Sequence, residues 1–245
     1  YTISKQALER MNTMPLFFMD KWYLILVLPA LLISIWAQIK VKSTFAKYGK
    51  IGTRSGMNGR DACVAIQQIN GIHVPVESVQ GSMTDHYDPR SNVIRLSQTV
   101  GPVNSIAAIG VAAHETGHAL QYAEGYGPIR VRAAILPTTQ FATSVSPWLV
   151  FAGLMFQYTI LAYLGVILFG TAVLFQLITL PVEFNASARA LRALETQGIL
   201  SGEELAGAKK VLSAAALTYV AALLVYLMNF LRLLLIVSGR GRRND

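Results

Sequence analysis

The chain has few acidic residues and almost no cysteine. Of its 245 residues only 14% are charged, and 13 Asp and Glu stand against 21 Lys and Arg. The single cysteine, Cys63, excludes an intramolecular disulfide framework, and we expect it to behave as a small buried hydrophobic residue. Since there are also only four histidines, the ligands of any transition-metal site must come from a short list of positions.

Positive charge is in excess, and its placement fits lipid headgroups better than a nucleic-acid groove. The net charge is +8, and the basic residues cluster at 40–50 and 240–243, beside apolar blocks. Basic residues in such positions favour lipid headgroups and determine membrane topology. The chain lacks the interleaved aromatic and basic residues that are typical of nucleic-acid binding. We therefore expect membrane lipid, and not nucleic acid, as a partner.

Long uncharged stretches are the main compositional feature. Hydrophobic residues make up 53% of the chain and the mean hydropathy is +0.44. Residues 22–39 and 148–182 contain no charge, and residues 214–237 are interrupted only by Arg232. About 20 apolar residues span a bilayer as a helix. The sequence therefore predicts a mainly α-helical membrane protein with about four transmembrane helices.

The segment ahead of the first apolar block lacks the apolar core of a signal peptide. We interpret residues 1–21 as a leader, and we expect residues 1–13 to be an extension ahead of Met14, a plausible native start. The whole predicted organisation is a leader (1–21), a transmembrane helix (22–39), a catalytic region (40–147), a transmembrane hairpin (148–182), a helix and connector (183–213), a transmembrane helix (214–237) and a basic tail (238–245).

The motif that carries chemistry is His114-Glu115-Thr116-Gly117-His118, at the end of the apolar helical run 106–113. Positions i and i+4 share one helix face, so both imidazoles can reach one metal ion, and Glu115 can take a proton from a water beside it. Two histidines leave a catalytic zinc short of one protein ligand and one open position. The spacing predicts one Zn²⁺ per chain with His114 and His118 as ligands and Glu115 as the catalytic carboxylate.

The residues ahead of this motif read as a small α+β region. A helical spacing of apolar residues covers 60–69, and two short β-branched segments flank a polar turn at 85–92. These segments predict a β-hairpin or meander. The metal helix should begin after Asn104 or Ser105 and run to about Ala123.

Glu183 is the best candidate for the third ligand. It opens a stretch of good helix propensity directly after the uncharged run, and two histidines plus a glutamate is a known zinc ligand set. The alternative is a glutamate placed at a helix N-terminus by the macrodipole. If Glu183 shares the zinc with His114, residues 148–182 must cross the membrane twice, turning near Tyr158 or Gly165.

Lys and Arg counts predict the orientation. Ten basic residues lie in 40–147 and four in 183–213, the two segments on the zinc side, against at most seven on the other side. Basic residues are retained in the cytoplasm. The counts therefore favour a zinc site on the cytoplasmic side, with the basic tail as an opposing signal.

Four stretches in order, "DHYDPRSNVIRLS", "SIAAIGVAAHETGHALQYAEGY", "SPWLVFAGL" and "LPVEFNASARAL", resemble the YugP-like neutral zinc metallopeptidases of bacterial membranes. The resemblance runs from Met14 to Val237. It implies a zincin-type, gluzincin-like catalytic unit in the bacterial inner (plasma) membrane, with the ligands and catalytic carboxylate named above.

The chain departs from the related membrane proteases at one position. Their second signature is Glu-x-x-Ala-Asp, and Ser187 stands here where they have the aspartate. The carboxylate that would orient a ligand histidine is therefore missing, and Asn185, Asp85 and Asp88 are the candidates to replace it.

The expected reaction is hydrolysis of polypeptides at or near the membrane surface, by a metalloendopeptidase of the EC 3.4.24 type. For the oxyanion that forms, His86, Tyr87 and Arg189 are candidate stabilisers, although His86 could equally be a hydrogen-bonded turn residue and Arg189 a headgroup contact. The segment 93–96 is either an edge strand that pairs with substrate or an ordinary buried strand.

Two other functions compete with this reading. One is an intramembrane-cleaving metalloprotease with its metal helix inside the bilayer, and the other is a non-proteolytic zinc-containing scaffold that recruits partners. An intact Glu115 disfavours the scaffold, because a structural site needs no base. Besides a polypeptide substrate, a membrane-protein partner or a second copy of the chain is left open.

Overall fold

The computed structural model describes residues 20–241, so most of the predicted leader and part of the predicted basic tail lie outside the described residues. The described chain is mainly helical, with six helices and one small sheet. In order these are α1 (Leu28–Tyr48, continuing from a π-helical turn Tyr23–Val27), α2 (Gly59–Ile69), β1 (Val76–Val79), β2 (His86–Asp88), β3 (Val93–Ser97), α3 (Ile106–Ala123), α4 (Gly127–Met155), α5 (Thr159–Thr196) and α6 (Gly202–Gly241).

Three of the described helices are long and apolar enough to cross a membrane. They are Tyr23–Tyr48, Thr159–Thr196 and Gly202–Gly239. Helix α4 is not among them, since its middle, residues 137–147, is rich in Pro, Thr, Ser and Gln. The described residues therefore contain three candidate spans where the sequence predicted about four.

The chain divides into two compact units, each described by itself. An α+β unit consists of Trp36–Leu136 and Leu177–Val220. A helical unit consists of the chain up to Ile35, Pro137–Gln176 and the chain from Ala221 onward. The metal-binding motif and Glu183 both belong to the α+β unit.

The sheet of the α+β unit has the order β1-β3-β2. Strand β1 pairs parallel with β3, and β2 pairs antiparallel with β3, with Tyr87 opposite Ile94. Strand β3 is thus the central strand, and the reading of residues 93–96 as an edge strand is wrong. Its side chains, Val93, Ile94 and Leu96, are buried because both neighbours and α3 cover it. The outer strands are β1 and β2.

Helix α3 forms the centre of the α+β unit. Ser105 caps it by accepting a hydrogen bond from the backbone N–H of Ala108, which agrees with the start predicted from the sequence. Small buried residues let neighbouring helices approach closely. At Gly117, an added Cβ would lie only 2.6 Å from the carbonyl oxygen of Ala186 on α5. The backbones of α3 and α5 therefore touch exactly where the metal motif lies.

In the helical unit, the ends of α4 and α5 form an antiparallel hairpin. Residues 156–158 connect the two helices. This turn contains Tyr158, one of the two turn positions expected from the sequence. Gly153 packs against Ala162, and the Ser146 hydroxyl donates to the backbone carbonyl of Gly165 over 2.8 Å. Glycine at these positions allows the two helices to pack backbone to backbone.

Candidate metal centre

Three side chains from two helices converge in the α+β unit. The Nε2 atoms of His114 and His118 on α3 lie 3.3 and 3.5 Å from Oε2 of Glu183 on α5. The two imidazoles are nearly perpendicular, with ring centroids 4.7 Å apart. One ligand atom from each of the three residues lies within 4.8 Å of the others. The structure thus brings together the three ligands proposed from the sequence as a group that could hold a metal ion.

The hydrogen bonds of Gln121 determine which nitrogen of His118 faces the centre. The side-chain amide of Gln121 donates to the backbone carbonyl of Val182 and to Oδ1 of Asn185, over 2.8 and 2.9 Å. Both partners only accept, so the remaining oxygen of Gln121 lies 3.0 Å from Nδ1 of His118 and must accept from it. The lone pair of a neutral His118 is then on Nε2, directed at Glu183.

The Nε2 lone pair of His118 and the Oε2 atom of Glu183 are both hydrogen-bond acceptors, and two acceptors that face each other need a cation between them. Oε2 of Glu183 is buried and makes no hydrogen bond, yet it faces the Nε2 atoms of both histidines. A buried, unsatisfied carboxylate oxygen is costly, and a metal ion coordinated by all three atoms removes that cost. Two imidazoles and one carboxylate are the ligand set of a catalytic zinc with an open fourth position. The residues present therefore fit a zinc ion.

The other oxygen of Glu183 has a different partner. Nη1 of Arg132, on the first turns of α4, lies 3.6 Å from Oε1 of Glu183. The guanidinium leaves Oε2 free for the histidines, which favours binding of a metal through one oxygen. Arg132 was not among the sequence-derived site residues, because only the packing of α4 beside α5 in this unit shows what it contacts.

Ser187 occupies the place of the missing aspartate. Its Oγ lies 3.1 Å from Nδ1 of His114, so a neutral hydroxyl meets the outer nitrogen of that ligand. Of the replacements considered from the sequence, Asn185 reaches the histidines only through Gln121. Asp88 contacts Arg95, Ser91 and the backbone of Arg90, and Asp85 accepts from Ser97. Gln121 and Ser187 are thus the residues that touch the outer nitrogens.

Glu115 is buried beside the two histidines and lines the same cleft. Its Oε2 accepts a hydrogen bond of 2.9 Å from the backbone N–H of Tyr87 on β2. This hydrogen bond connects the outer strand β2 to helix α3. It also holds the Glu115 carboxylate at a defined place without using a side chain.

The four residues proposed as oxyanion or orienting groups separate into two pairs. His86 and Tyr87 line the cleft, but Nδ1 of His86 is bonded to the carbonyl of Thr84 and the Tyr87 hydroxyl donates to Asn92. Asn185 and Arg189 do not line it. Arg189 instead donates to Asn185 and to Glu124, over 2.7 and 2.6 Å, so it supports the Gln121 network.

Further cleft residues were not found from the sequence. They are Tyr122, Ile129, Arg132 and Tyr219. Tyr122 is four residues beyond His118 and so falls on the same helix face, a signal that the helical spacing could have supplied. Tyr219 lies on α6 inside an apolar block, and no local pattern distinguishes it from the other tyrosines.

Burial and charge shift the pKa values around the cleft in different directions. Burial raises the pKa of Asp85, against the hydrogen bonds from Ser97 that lower it. Burial also raises the pKa of Tyr87 and of Tyr122, so both phenols keep their protons at neutral pH. Asp88 is the opposite case, because hydrogen bonds from Ser91 and Arg95 hold its pKa well below the usual range.

Cys63 has no part in the metal centre. It is buried, donates to the carbonyl of Ala112 and accepts from the hydroxyl of Thr116. Burial raises the pKa of its thiol to about 12. A thiol that stays protonated is neither a nucleophile nor a metal ligand, which agrees with the expectation from the sequence.

Comparisons with known proteins agree with this chemistry. Residues 23–238 match the family described as "Putative neutral zinc metallopeptidase". The chain is also 50% identical over 220 residues to "Putative membrane protease YugP" of Bacillus subtilis (strain 168), which covers 89% of this chain and 98% of that relative. No solved structure matched the chain. The resemblance stated from the four sequence stretches is confirmed.

Proposed function

The chain belongs to this family of neutral zinc metallopeptidases, and from that premise we propose that it is a membrane-embedded zinc endopeptidase that cuts polypeptides at or near the membrane surface. One observation carries the proposal. The buried Glu183 oxygen without a hydrogen bond and the Nε2 atoms of His114 and His118 converge, and Glu115 lines the same cleft.

In the proposed reaction, Glu115 acts as the general base. A bound zinc ion would acidify the attacking water and polarise the peptide carbonyl. Glu115 takes the proton from that water as it adds to the carbonyl carbon, and then delivers it to the leaving amine as the C–N bond breaks. The backbone N–H of Tyr87 keeps the carboxylate in place through these two steps.

Three neighbours keep the ligands in position. Gln121 holds His118 with its Nε2 lone pair facing inward, Ser187 contacts His114, and Arg132 lies beside the outer oxygen of Glu183. Partners of this kind orient ligands and commonly affect metal affinity by about 10–100-fold. We propose that they replace the aspartate that this chain lacks.

The oxyanion requires a hydrogen-bond donor in the cleft besides the metal. The hydroxyl of Tyr87 is already committed to Asn92, and Nδ1 of His86 to Thr84. The Tyr219 hydroxyl is hydrogen-bonded to Glu183. Nε2 of His86 and the hydroxyl of Tyr122 are therefore the donors that we propose for this role. Arg189 and Asn185 belong to the support of Gln121.

We further propose four membrane crossings around a zincin-like unit. The side chains of His114 and Glu183 meet, so the chain between them must cross the membrane an even number of times. Helix α5 is one candidate span between them, and α4, its hairpin partner, is the natural second crossing. The distribution of Lys and Arg supports a site on the cytoplasmic side of a bacterial inner membrane.

The two competing functions receive less support. An intramembrane-cleaving protease would require α3 within the bilayer, but α3 is not among the candidate spans of the described residues. A zinc scaffold without activity would not require a buried Glu115 held in the cleft by the Tyr87 amide.

The test measures zinc content and casein hydrolysis of detergent-purified protein. Glu115→Gln keeps an acceptor for the Tyr87 amide but cannot take a proton, so we expect zinc to be retained and hydrolysis to fall at least about 100-fold. Glu183→Ala should lose both zinc and hydrolysis while its thermal unfolding remains cooperative.

Two results would contradict the proposal. Casein hydrolysis at the wild-type rate by Glu115→Gln would exclude Glu115 as the base. Full zinc occupancy in Glu183→Ala would exclude Glu183 as a ligand. Zinc binding by the wild type without hydrolysis of casein would leave three alternatives: a gated site, a substrate confined to the membrane, or a zinc-containing scaffold.

A further inference from the structure

On three of the helices that contribute to the site, α4, α5 and α6, the cleft residues lie at the end of an uncharged stretch or within one. On α4, Arg132 is the last charge before fifty uncharged residues, 133–182. On α5, Glu183 ends that same stretch. On α6, no charge occurs between Lys210 and Arg232, and Tyr219 lies within this gap. Charged residues avoid the hydrocarbon core, so the cleft lies at the boundary between water and lipid.

Exposed apolar side chains flank three of the cleft residues. Val131 is 48% exposed, Phe184 48% and Val220 41%, and each is the chain neighbour of a cleft residue, Arg132, Glu183 or Tyr219. Phe184 and Val220 both lie on candidate membrane spans. Exposed apolar side chains on membrane-spanning helices face lipid, so lipid would cover Phe184 and Val220.

A second part of the cleft lining comes from the sheet and its flanking turns. It is formed by Asp85, His86 and Pro89, on and beside strand β2, and the side chains of His86 and Pro89 are exposed. Strand β2 is an outer strand of the sheet, and its middle residue, Tyr87, donates its backbone N–H to Glu115. The cleft thus combines the polar side chains of Asp85 and His86 with helix residues whose chain neighbours are exposed and apolar.

We propose that the substrate is a membrane-anchored polypeptide, cut in the extended segment that directly follows its transmembrane anchor. This inference rests on the proposed function. The anchor occupies the lipid beside Val131, Phe184 and Val220, and the following residues enter the cleft. Anchoring replaces diffusion from bulk solution by a high local concentration at the cleft. In a membrane-anchored substrate, a peptide bond that is held far from the membrane does not reach the site.

The test uses substrates that are all in the same membrane, so that localisation is not the variable. A casein segment around a bond that the wild-type protein cuts is fused to a transmembrane leucine–alanine helix. The spacer is either three flexible residues or a helical Glu-Ala-Ala-Ala-Lys repeat of about 30 residues, which reaches roughly 45 Å. Zinc-loaded wild type and Glu115→Gln are reconstituted with each fusion in phosphatidylethanolamine–phosphatidylglycerol vesicles.

We expect the short-spacer fusion to be cut at least tenfold faster than the rigid long-spacer fusion, and Glu115→Gln to cut neither. Equal cleavage of both fusions by the wild type, or faster cleavage of the long one, would overturn the inference while leaving the peptidase intact. Cleavage that persists in Glu115→Gln would overturn the proposed function itself. No cleavage of the short-spacer fusion by the zinc-loaded wild type, which cuts the same bond in casein, would overturn the inference.

Discussion

At the scale of single residues, the buried amide of Gln121 determines which nitrogen of His118 is available to a metal ion. Its two N–H groups have fixed acceptors on Val182 and Asn185, so its oxygen can only face His118. Glutamine in this position accepts from the outer nitrogen of a ligand histidine and orients it, a role that a carboxylate has in many zinc sites. It does so without adding a negative charge to a centre that already contains Glu115 and Glu183.

Replacement of Gln121 by Leu is expected to lower the zinc affinity by about 10–100-fold, because His118 loses the acceptor that fixes its tautomer. The measurement is zinc binding at equilibrium by detergent-purified protein. Gln67→Leu is the matched control, since Gln67 is also buried in the α+β unit but its oxygen accepts from the backbone of Val74. An equal loss of zinc affinity in both variants would show a general effect of burying leucine.

At the scale of elements, the metal centre depends on how closely α3 and α5 approach. Glycine at position 117, between the two histidines, lets the α5 backbone come within contact distance at Ala186. Glu183 is one turn earlier on α5 and therefore lies opposite His114 and His118. A larger side chain at this position would separate the ligands without altering any of them.

Gly117→Ala is therefore expected to destabilise the fold by about 1–3 kcal/mol through overpacking and to lower zinc occupancy. Its added Cβ would meet the backbone carbonyl of Ala186 at 2.6 Å. Gly110→Ala on the same helix is the control, because its Cβ would lie 3.5 Å from Cβ of Ala208, an ordinary contact. The measurements are the unfolding temperature and the zinc content of the two variants. Equal unfolding temperatures and equal zinc contents would contradict the explanation that close approach of α3 and α5 positions the ligands.

At the scale of the whole molecule, residues distant in sequence are joined within the helical unit. Arg232, the one charge in the last apolar block, pairs with Asp20 over 2.6 Å. Oδ1 of Asp20 also accepts from the backbone N–H groups of Trp22 and Tyr23 at the start of the first helix. This pair therefore connects the beginning of the first candidate span to the last one.

Asp20→Asn tests this connection, because asparagine keeps the helix-capping oxygen and removes only the charge. Arg232 is buried and loses its carboxylate partner in this variant, while its contact with the Tyr23 ring remains, so the unfolding temperature in detergent should fall. The double variant Asp20→Asn with Arg232→Leu should regain part of the loss, since the buried guanidinium is then removed together with its carboxylate partner. A double variant less stable than Asp20→Asn would contradict the charge explanation.

Much of the fold and of the site can be read from the chain alone, because the signals are local or periodic. A helix places His114 and His118 on one face whatever surrounds them, and long uncharged runs predict helices that can span a membrane. Glu183 could be proposed because an incomplete ligand set requires a third donor and few acids are available. The start of α3 at Ser105 follows from capping chemistry.

Other features depend on contacts between residues far apart in sequence, and only the tertiary structure decided them. Strand β3 is central because β1 pairs with it in parallel, and nothing within residues 93–97 distinguishes a central strand from an edge strand with one covered face. Arg132, Ser187 and Tyr219 join the site through helix packing, and Gln121 through hydrogen bonds to α5. Helical periodicity determines the face a residue occupies, but the packing of the helices determines what that face meets.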